Sequence, residues 1–178
     1  STTMNNYRDQ FMADNTLWVR QNYGSGRGVA LWAHNGHVAN DFSDSVHASL
    51  GYHLRRSLGE KYVIVGFSFC QGSFNAVGYD TIHKVFTGLQ THTITDAPLD
   101  YSVNDLFHSA GRKIFLLRLD RLIEGDPLRA WFDQGRQMLS IGAAYDGNPV
   151  DYYGSQFFIR RHYDVLIHFD QTVFAPQI

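Results

Sequence analysis

Residues 29–37 read VALWAHNGH, a short unbroken apolar run that ends in a polar stretch with two histidines. A run of this kind predicts a strand covered on both faces, as in a parallel sheet. Residues 62–67 form a second such run, YVIVGF. A helix is predicted between the two runs, with Ser43 or Asp44 as its cap and Gly59 as its stop. The order strand, helix, strand predicts a βαβ unit with parallel strands.

Further elements are predicted on both sides of this unit. Helices are expected over residues 6–22, over residues 103–110 and from Asp126-Pro127 onward, where Asp126 is the cap and Pro127 the first helical residue. Strands are expected at residues 75–79, 113–119 and 165–169. The alternation predicts the α/β class, with a three-layer α/β/α architecture, a mainly parallel sheet and a single domain over residues 1–178.

Composition narrows the function classes. The chain has 178 residues and a formal net charge of −2, so the basic excess of a nucleic-acid binder is lacking. No apolar run is long enough to cross a bilayer, and we expect no membrane partner. Cys70 is the single cysteine, which excludes a disulfide framework and a multi-cysteine zinc site. The first six residues show no secretion signal; the compartment stays open, and the cytoplasm is favoured.

Two histidines occupy the position where α/β sheets bind ligands. His34 and His37 follow the first predicted strand, and ligands in such sheets lie beyond the carboxyl ends of the strands. An imidazole titrates near neutral pH and can serve as acid, base or ligand. One alternative is that one histidine caps the strand end while the other is solvated. A zinc site needs three or four ligands and this pair supplies two, so we expect neither a metal nor another cofactor.

The first predicted helix carries a second polar pair. Arg8 and Asn15 are seven residues apart, which places them two turns apart on one helix face. An arginine on a largely apolar face either pairs with a nearby aspartate or donates to a substrate carbonyl or catalytic carboxylate. Cys70 is interpreted as a small buried side chain and not as a nucleophile. Ser68 lies inside a predicted strand without the final glycine of a nucleophile elbow, and we reject it as a nucleophile.

Several motifs together resemble one known family. Residues 8–15 read RDQFMADN, residues 31–38 read LWAHNGHV, and residues 66–69 read GFSF. These strings resemble the erythromycin esterase family, which also includes proteins of succinoglycan biosynthesis. The resemblance implies an α/β/α fold and a hydrolase that opens a macrolide lactone by attack of water, without a required metal.

The resemblance also implies roles for particular residues. Arg8, His34 and His37 match residues that line the family's cleft and are expected to be catalytic. We expect Asn15, Trp32 and Asn35 to contact the substrate, a small ester or lactone. The family's general base is another histidine, helped by glutamates, in an N-terminal half that precedes the motif at Arg8. This chain is therefore expected to hold part of a site and to need that segment as a partner.

Two other functions stay open at this point. One is a metal-dependent hydrolase in which His34 and His37 are ligands. The other is a non-catalytic binding or assembly module, whose expected sign is an exposed apolar surface.

Overall fold

The computed structural model describes residues 2–24, 26–44 and 47–176, which divide into two compact units. The first unit comprises Ser1–Gly66 with Arg160–Val165, and the second comprises Phe67–Ile159 with Leu166–Ile178. The single domain over residues 1–178 stays a prediction. None of the helices in the described ranges is both long enough and apolar enough to span a membrane.

The first unit is mainly helical. Its helices are α1 (Thr2–Tyr23), α2 (Asn35–Val38) and α3 (Leu50–Leu58), and the antiparallel strands β1 (Phe42–Asp44) and β2 (His47–Ala48) precede α3. The helix predicted over residues 6–22 is confirmed by α1. Buried aliphatic side chains from all three helices form the core of this unit: Ala13, Val38, Leu50 and Leu54.

The first predicted strand is absent. Residues 29–33 form neither helix nor strand, and Val29 and Trp32 are exposed. A strand is defined by a hydrogen-bonded neighbouring strand, and no described strand pairs with this segment. The predicted βαβ unit is therefore wrong, and His34 does not follow a strand.

The predicted start of α3 is also wrong. Residues 42–44 belong to β1, and the helix begins only at Leu50. Its cap is Ser49, whose Oγ accepts a hydrogen bond from the Tyr52 amide at 3.0 Å. Gly59 ends the helix as predicted, with φ at +57°, a conformation that favours glycine.

The second unit is built on a mixed sheet. Its strands run in the order β4 (Val85–Ile94), β3 (Val65–Asp80), β9 (Val165–Thr172) and β5 (Ile114–Arg118), and β7 (Ala144–Tyr145) also pairs with β3. The β3–β4 pair is antiparallel and the β3–β7 pair is parallel. The predicted mainly parallel sheet is therefore corrected to a mixed one, because a long hairpin supplies two of its strands.

This hairpin extends well beyond the strands predicted at residues 62–67 and 75–79. β3 continues through Gly72, where φ is +115°. A Cβ at this position would collide with the backbone of Thr172 on β9, so glycine permits both the bend and the close approach.

Short helices and a second small sheet complete this unit. The helix α4 (Val103–Ser109) packs Phe107 against the rings of Phe115 and His168, at 5.0 and 5.1 Å between centroids. Both the helix predicted at residues 103–110 and the strand predicted at 113–119 are confirmed. The remaining elements of this unit are α5 (Pro127–Phe132) and the antiparallel pair β6 (Arg136–Leu139) and β8 (Tyr153–Phe157), while α6 (Ile159–His162) belongs to the first unit from Arg160 onward.

Candidate functional site

His34 caps the short helix α2 in the first unit. Its Nδ1 accepts a hydrogen bond from the Gly36 amide at 3.1 Å, and the ring is exposed. Because Nδ1 is the acceptor, the proton of the neutral ring lies on Nε2. His34 therefore presents a donor, which suits an oxygen atom that gains negative charge.

His37, one helical turn further on, is held in the opposite tautomer. Its Nδ1 donates to the Asp9 carboxylate, at 3.0 Å from Oδ2 and 2.9 Å from Oδ1. This places the lone pair of the neutral ring on Nε2, which is then a hydrogen-bond acceptor.

Asp9 is almost fully buried on α1, with 8% of its surface exposed. Besides His37, its Oδ2 accepts a hydrogen bond from the Leu50 amide at 3.1 Å, in the first turn of α3. Positive charge at a helix N-terminus stabilises a carboxylate there. Asp9 therefore connects α1, α2 and α3 and fixes the orientation of the His37 ring.

Arg8 lies beside His37, and its expected catalytic role stays a prediction. Its Nη1 is 3.5 Å from His37 Nε2, at the exposed edge of the pair. Asn15 lies exposed on the same helix, two turns away. The Trp32 side chain is 85% exposed. The Asn35 carbonyl oxygen takes part in the hydrogen bonding of α2. Substrate contact by Asn15, Trp32 and Asn35 stays a prediction.

Two tyrosines, the half-buried Tyr62 and the buried Tyr163, hold α2 in place. Tyr62 donates its hydroxyl proton to the Val38 carbonyl oxygen at 2.9 Å, and Tyr163 donates to the Asn35 carbonyl oxygen at 3.4 Å. Burial raises the pKa of Tyr62 to about 12 and also raises the pKa of Tyr163. Both phenols therefore stay protonated at neutral pH and keep donating.

The arrangement combines three chemical properties within one unit. His37 offers an acceptor, His34 offers a donor, and Arg8 offers a permanent positive charge. Hydrolysis of an ester needs an acceptor for the attacking water and donors for the developing oxyanion. Among the described residues, neither histidine belongs to a group of three potential metal ligands.

The sequence interpretation missed Asp9. It was quoted in the RDQFMADN string but given no role. Asp9 is buried although its neighbour Arg8 on α1 is exposed. This burial results from the packing of α2 and α3 against α1, which the sequence of α1 alone does not show.

Comparisons with known proteins agree on one family. The erythromycin esterase family model matches residues 1–172. No curated protein matches the chain. A solved succinoglycan biosynthesis protein shares 25% identity with a TM-score of 0.75 over 93% of this chain and 38% of its own.

Two further solved structures share the fold. A Bacillus cereus protein shares 19% identity with a TM-score of 0.75, over 95% of this chain and 39% of its own. A histidine-to-asparagine mutant of the erythromycin esterase EreC, in its open conformation, shares 16% identity with a TM-score of 0.57, over 92% of this chain and 36% of its own. The chain thus spans well under half the length of these relatives.

Proposed function

Because the chain belongs to the erythromycin esterase family, we propose that its Arg8, His34 and His37 form part of a site that hydrolyses a carboxylic ester by attack of water. The observation that carries the proposal is the Asp9–His37–Arg8 arrangement, in which a buried carboxylate holds an imidazole whose acceptor nitrogen lies beside a guanidinium.

In this site His37 positions the attacking water. Its Nε2 accepts a hydrogen bond from the water, while Asp9 fixes the ring through Nδ1 and stabilises any positive charge that the ring gains. Arg8 reaches the same nitrogen in the absence of substrate. When the guanidinium turns to the substrate carbonyl oxygen, Nε2 becomes accessible to the water.

His34 and Arg8 stabilise the oxyanion. As the water oxygen bonds to the carbonyl carbon, negative charge develops on the carbonyl oxygen. The Nε2 proton of His34 and the guanidinium of Arg8 are the donors that this unit offers to it. One such donor is worth about 2.7–4 kcal/mol of transition-state stabilisation.

The rest of the site is proposed to come from the segment of the longer family proteins that this chain does not cover. The resemblance implies a further histidine as general base, with supporting glutamates, in that part. We also propose that the substrate is a macrolide lactone and that the protein has a role in antibiotic resistance. The three-layer α/β/α arrangement stays a prediction for the complete family fold.

Substrate binding tests this proposal on the chain itself. We would titrate the protein with erythromycin, and separately with a phosphonate analogue of the tetrahedral intermediate, and follow the histidine side chains by NMR. Saturable shifts at His34 and His37 are expected. Arg8→Gln should weaken binding of the phosphonate about tenfold, the effect of losing about 1.4 kcal/mol from one charge-assisted hydrogen bond.

His83→Gln is the matched control. His83 also pairs with an aspartate, Asp80, at 2.7 Å, but it lies in the second unit and is largely exposed. This variant should bind the phosphonate like the wild type. Shifts confined to His83 and other surface histidines, with none at His34 or His37, would contradict the proposal.

A non-catalytic assembly module is the second candidate. It is favoured by an exposed apolar face on α1, where Tyr7, Phe11 and Trp18 follow helical spacing and are each more than half exposed. If this candidate is correct, neither ligand shifts His34 or His37 in the titration.

A further inference from the structure

A polar cluster lies on one face of the sheet in the second unit. Ser68 and Cys70 are two residues apart on β3, and His168 and Asp170 are two residues apart on the neighbouring β9, so each pair points to one face. Cys70 and His168 are buried, with at most 1% of their surface exposed. Free cysteine behaves as a small hydrophobe, but this one shares its surroundings with an imidazole and a carboxylate.

The potential ligand atoms of this cluster are close to the spacing that one metal ion requires. Cys70 Sγ lies 3.9 Å from His168 Nε2, and the ligand atoms of Cys70, His168 and Asp170 all lie within 4.8 Å of one another. Sulfur, nitrogen and oxygen atoms bound to one tetrahedral Zn²⁺ are about 3.4–3.6 Å apart, as follows from the usual bond lengths. Shifts of roughly an ångström would complete the geometry.

Two neighbouring side chains already hold the ligands in suitable orientations. Ser68 Oγ lies 2.9 Å from His168 Nδ1, which turns Nε2 toward the cysteine. His108 on α4 donates from Nδ1 to Asp170 Oδ1 at 2.6 Å. Metal-bound histidines and carboxylates typically have such hydrogen-bonded partners, which fix the tautomer and the ring orientation.

The thiol and the imidazole are hydrogen-bonded to one another and to the chain around them. Cys70 Sγ lies 3.1 Å from the Asn104 carbonyl oxygen and 3.9 Å from His168 Nε2. When a cation binds, the sulfur loses its proton and Nε2 presents its lone pair to the ion, while Ser68 accepts the Nδ1 proton of His168.

We propose that Cys70, His168 and Asp170 bind one divalent cation of the Zn²⁺ type. A thiolate and an imidazole select a borderline-soft ion over Mg²⁺ or Ca²⁺. On binding, the Cys70 S–H bond breaks, its proton passes to solvent, and the sulfur–metal bond forms. The Asp170 side chain is 24% exposed and gives the ion a path from solvent.

This site differs from the one weighed in the sequence. Metal binding was considered there only for His34 and His37, and Cys70 was interpreted as a buried apolar residue. The new site lies in the other unit, so it is independent of the proposed ester chemistry.

Titration of the metal-free protein with Co²⁺ tests the proposal. We expect one equivalent to bind, with a thiolate charge-transfer band and the intense visible bands of a tetrahedral site, and Zn²⁺ should displace it. Cys70→Ser should abolish the charge-transfer band. His108→Ala, which removes only the partner of Asp170, should weaken binding about 10–100-fold while keeping the band.

The control variant is Asp80→Asn. Asp80 pairs with His83 as Asp170 pairs with His108, but no cysteine lies beside that pair. Its Co²⁺ affinity and spectrum should match the wild type. The proposal is overturned if no charge-transfer band forms with excess Co²⁺, or if the band persists in Cys70→Ser. His108→Ala keeps the test decisive if the cysteine variant does not fold, because unchanged Co²⁺ affinity in that variant would also overturn it.

Discussion

At the scale of single residues, Asp9 has the largest influence on the candidate site. One buried carboxylate accepts hydrogen bonds from His37 and from the first amide of α3. It therefore contributes both to the stability of the first unit and to the tautomer of His37. The two effects can be measured separately.

Replacement of Asp9 by Asn should change both properties. A neutral amide oxygen is a weaker acceptor than the carboxylate oxygen that accepts from both His37 and the Leu50 amide, and we expect a loss of about 1–3 kcal/mol in unfolding free energy. His37 should lose its fixed tautomer, which side-chain ¹⁵N shifts report. Asp14→Asn is the control, since Asp14 is exposed on the same helix. A His37 tautomer that is unchanged in the Asp9 variant would show that Asp9 does not position the ring.

His162 should make the first unit sensitive to acid. Burial is the main cause that lowers its pKa below the usual 6.5, with Arg161 adding to the effect and Asp41 opposing it. The unfolded chain then binds the proton first, so the unfolding free energy should fall as the pH drops below about 6.5.

Urea denaturation at several pH values between 7.5 and 5 measures this effect. His162→Gln should show a shallower loss of stability than the wild type. The loss should not vanish, because burial also lowers the pKa of His168, to about 4. An identical slope in His162→Gln and wild type would refute the assignment.

At the scale of elements, the start of α3 depends on Ser49. Its Oγ accepts from the amides of Tyr52 and Asp41 and donates to the Ala39 carbonyl oxygen at 2.5 Å. One buried hydroxyl thus caps a helix and also fixes the chain that leaves α2. The helix start is defined by these contacts and not by the residues that looked like caps in the sequence.

Ser49→Ala should therefore lower the unfolding free energy by more than the loss of an ordinary helix cap does. Loss of the cap costs about 1 kcal/mol, and the buried groups left unpaired raise the expected total to about 2–3 kcal/mol. Urea denaturation checks the value. Ser57→Ala, on the exposed side of the same helix, should stay within about 0.5 kcal/mol of wild type. A cost for Ser49→Ala as small as that control would mean that water replaces the lost hydroxyl.

At the scale of the whole molecule, the chain corresponds to 36–39% of the lengths of its structural relatives. The candidate site has hydrogen-bond donors and an imidazole that is proposed to orient the water, while the family's general base is expected outside the matched residues. The contributions of groups that act together in catalysis are strongly non-additive. A partial site therefore accelerates the reaction much less than the number of its groups would suggest.

The 178-residue chain should therefore hydrolyse erythromycin and simple esters close to the uncatalysed rate. An ester-hydrolysis assay on the wild type and His34→Ala checks this expectation, and both should give the same background. Clear turnover that His34→Ala abolishes would show that the chain carries a complete site. Binding of the phosphonate analogue without turnover would agree with the proposed partial site.

Elements with strong local signals could be predicted from the sequence alone. The cap Asp126 followed by Pro127 marks the start of α5, and the apolar runs at 113–119 and 165–169 mark β5 and β9. The family could also be identified, because its motifs are contiguous strings. These features depend on residues near one another in the chain, where propensity and capping act.

Tertiary structure decided the features that depend on distant partners. Residues 29–33 are as apolar as a strand, but no described strand pairs with them and they form none. β3 passes through Gly72 because β4 and β9 pair with it on either side. Asp9 meets His37 across 28 residues, and Cys70 meets His168 across 98. Such contacts depend on how the chain packs, which the local pattern at either end does not specify.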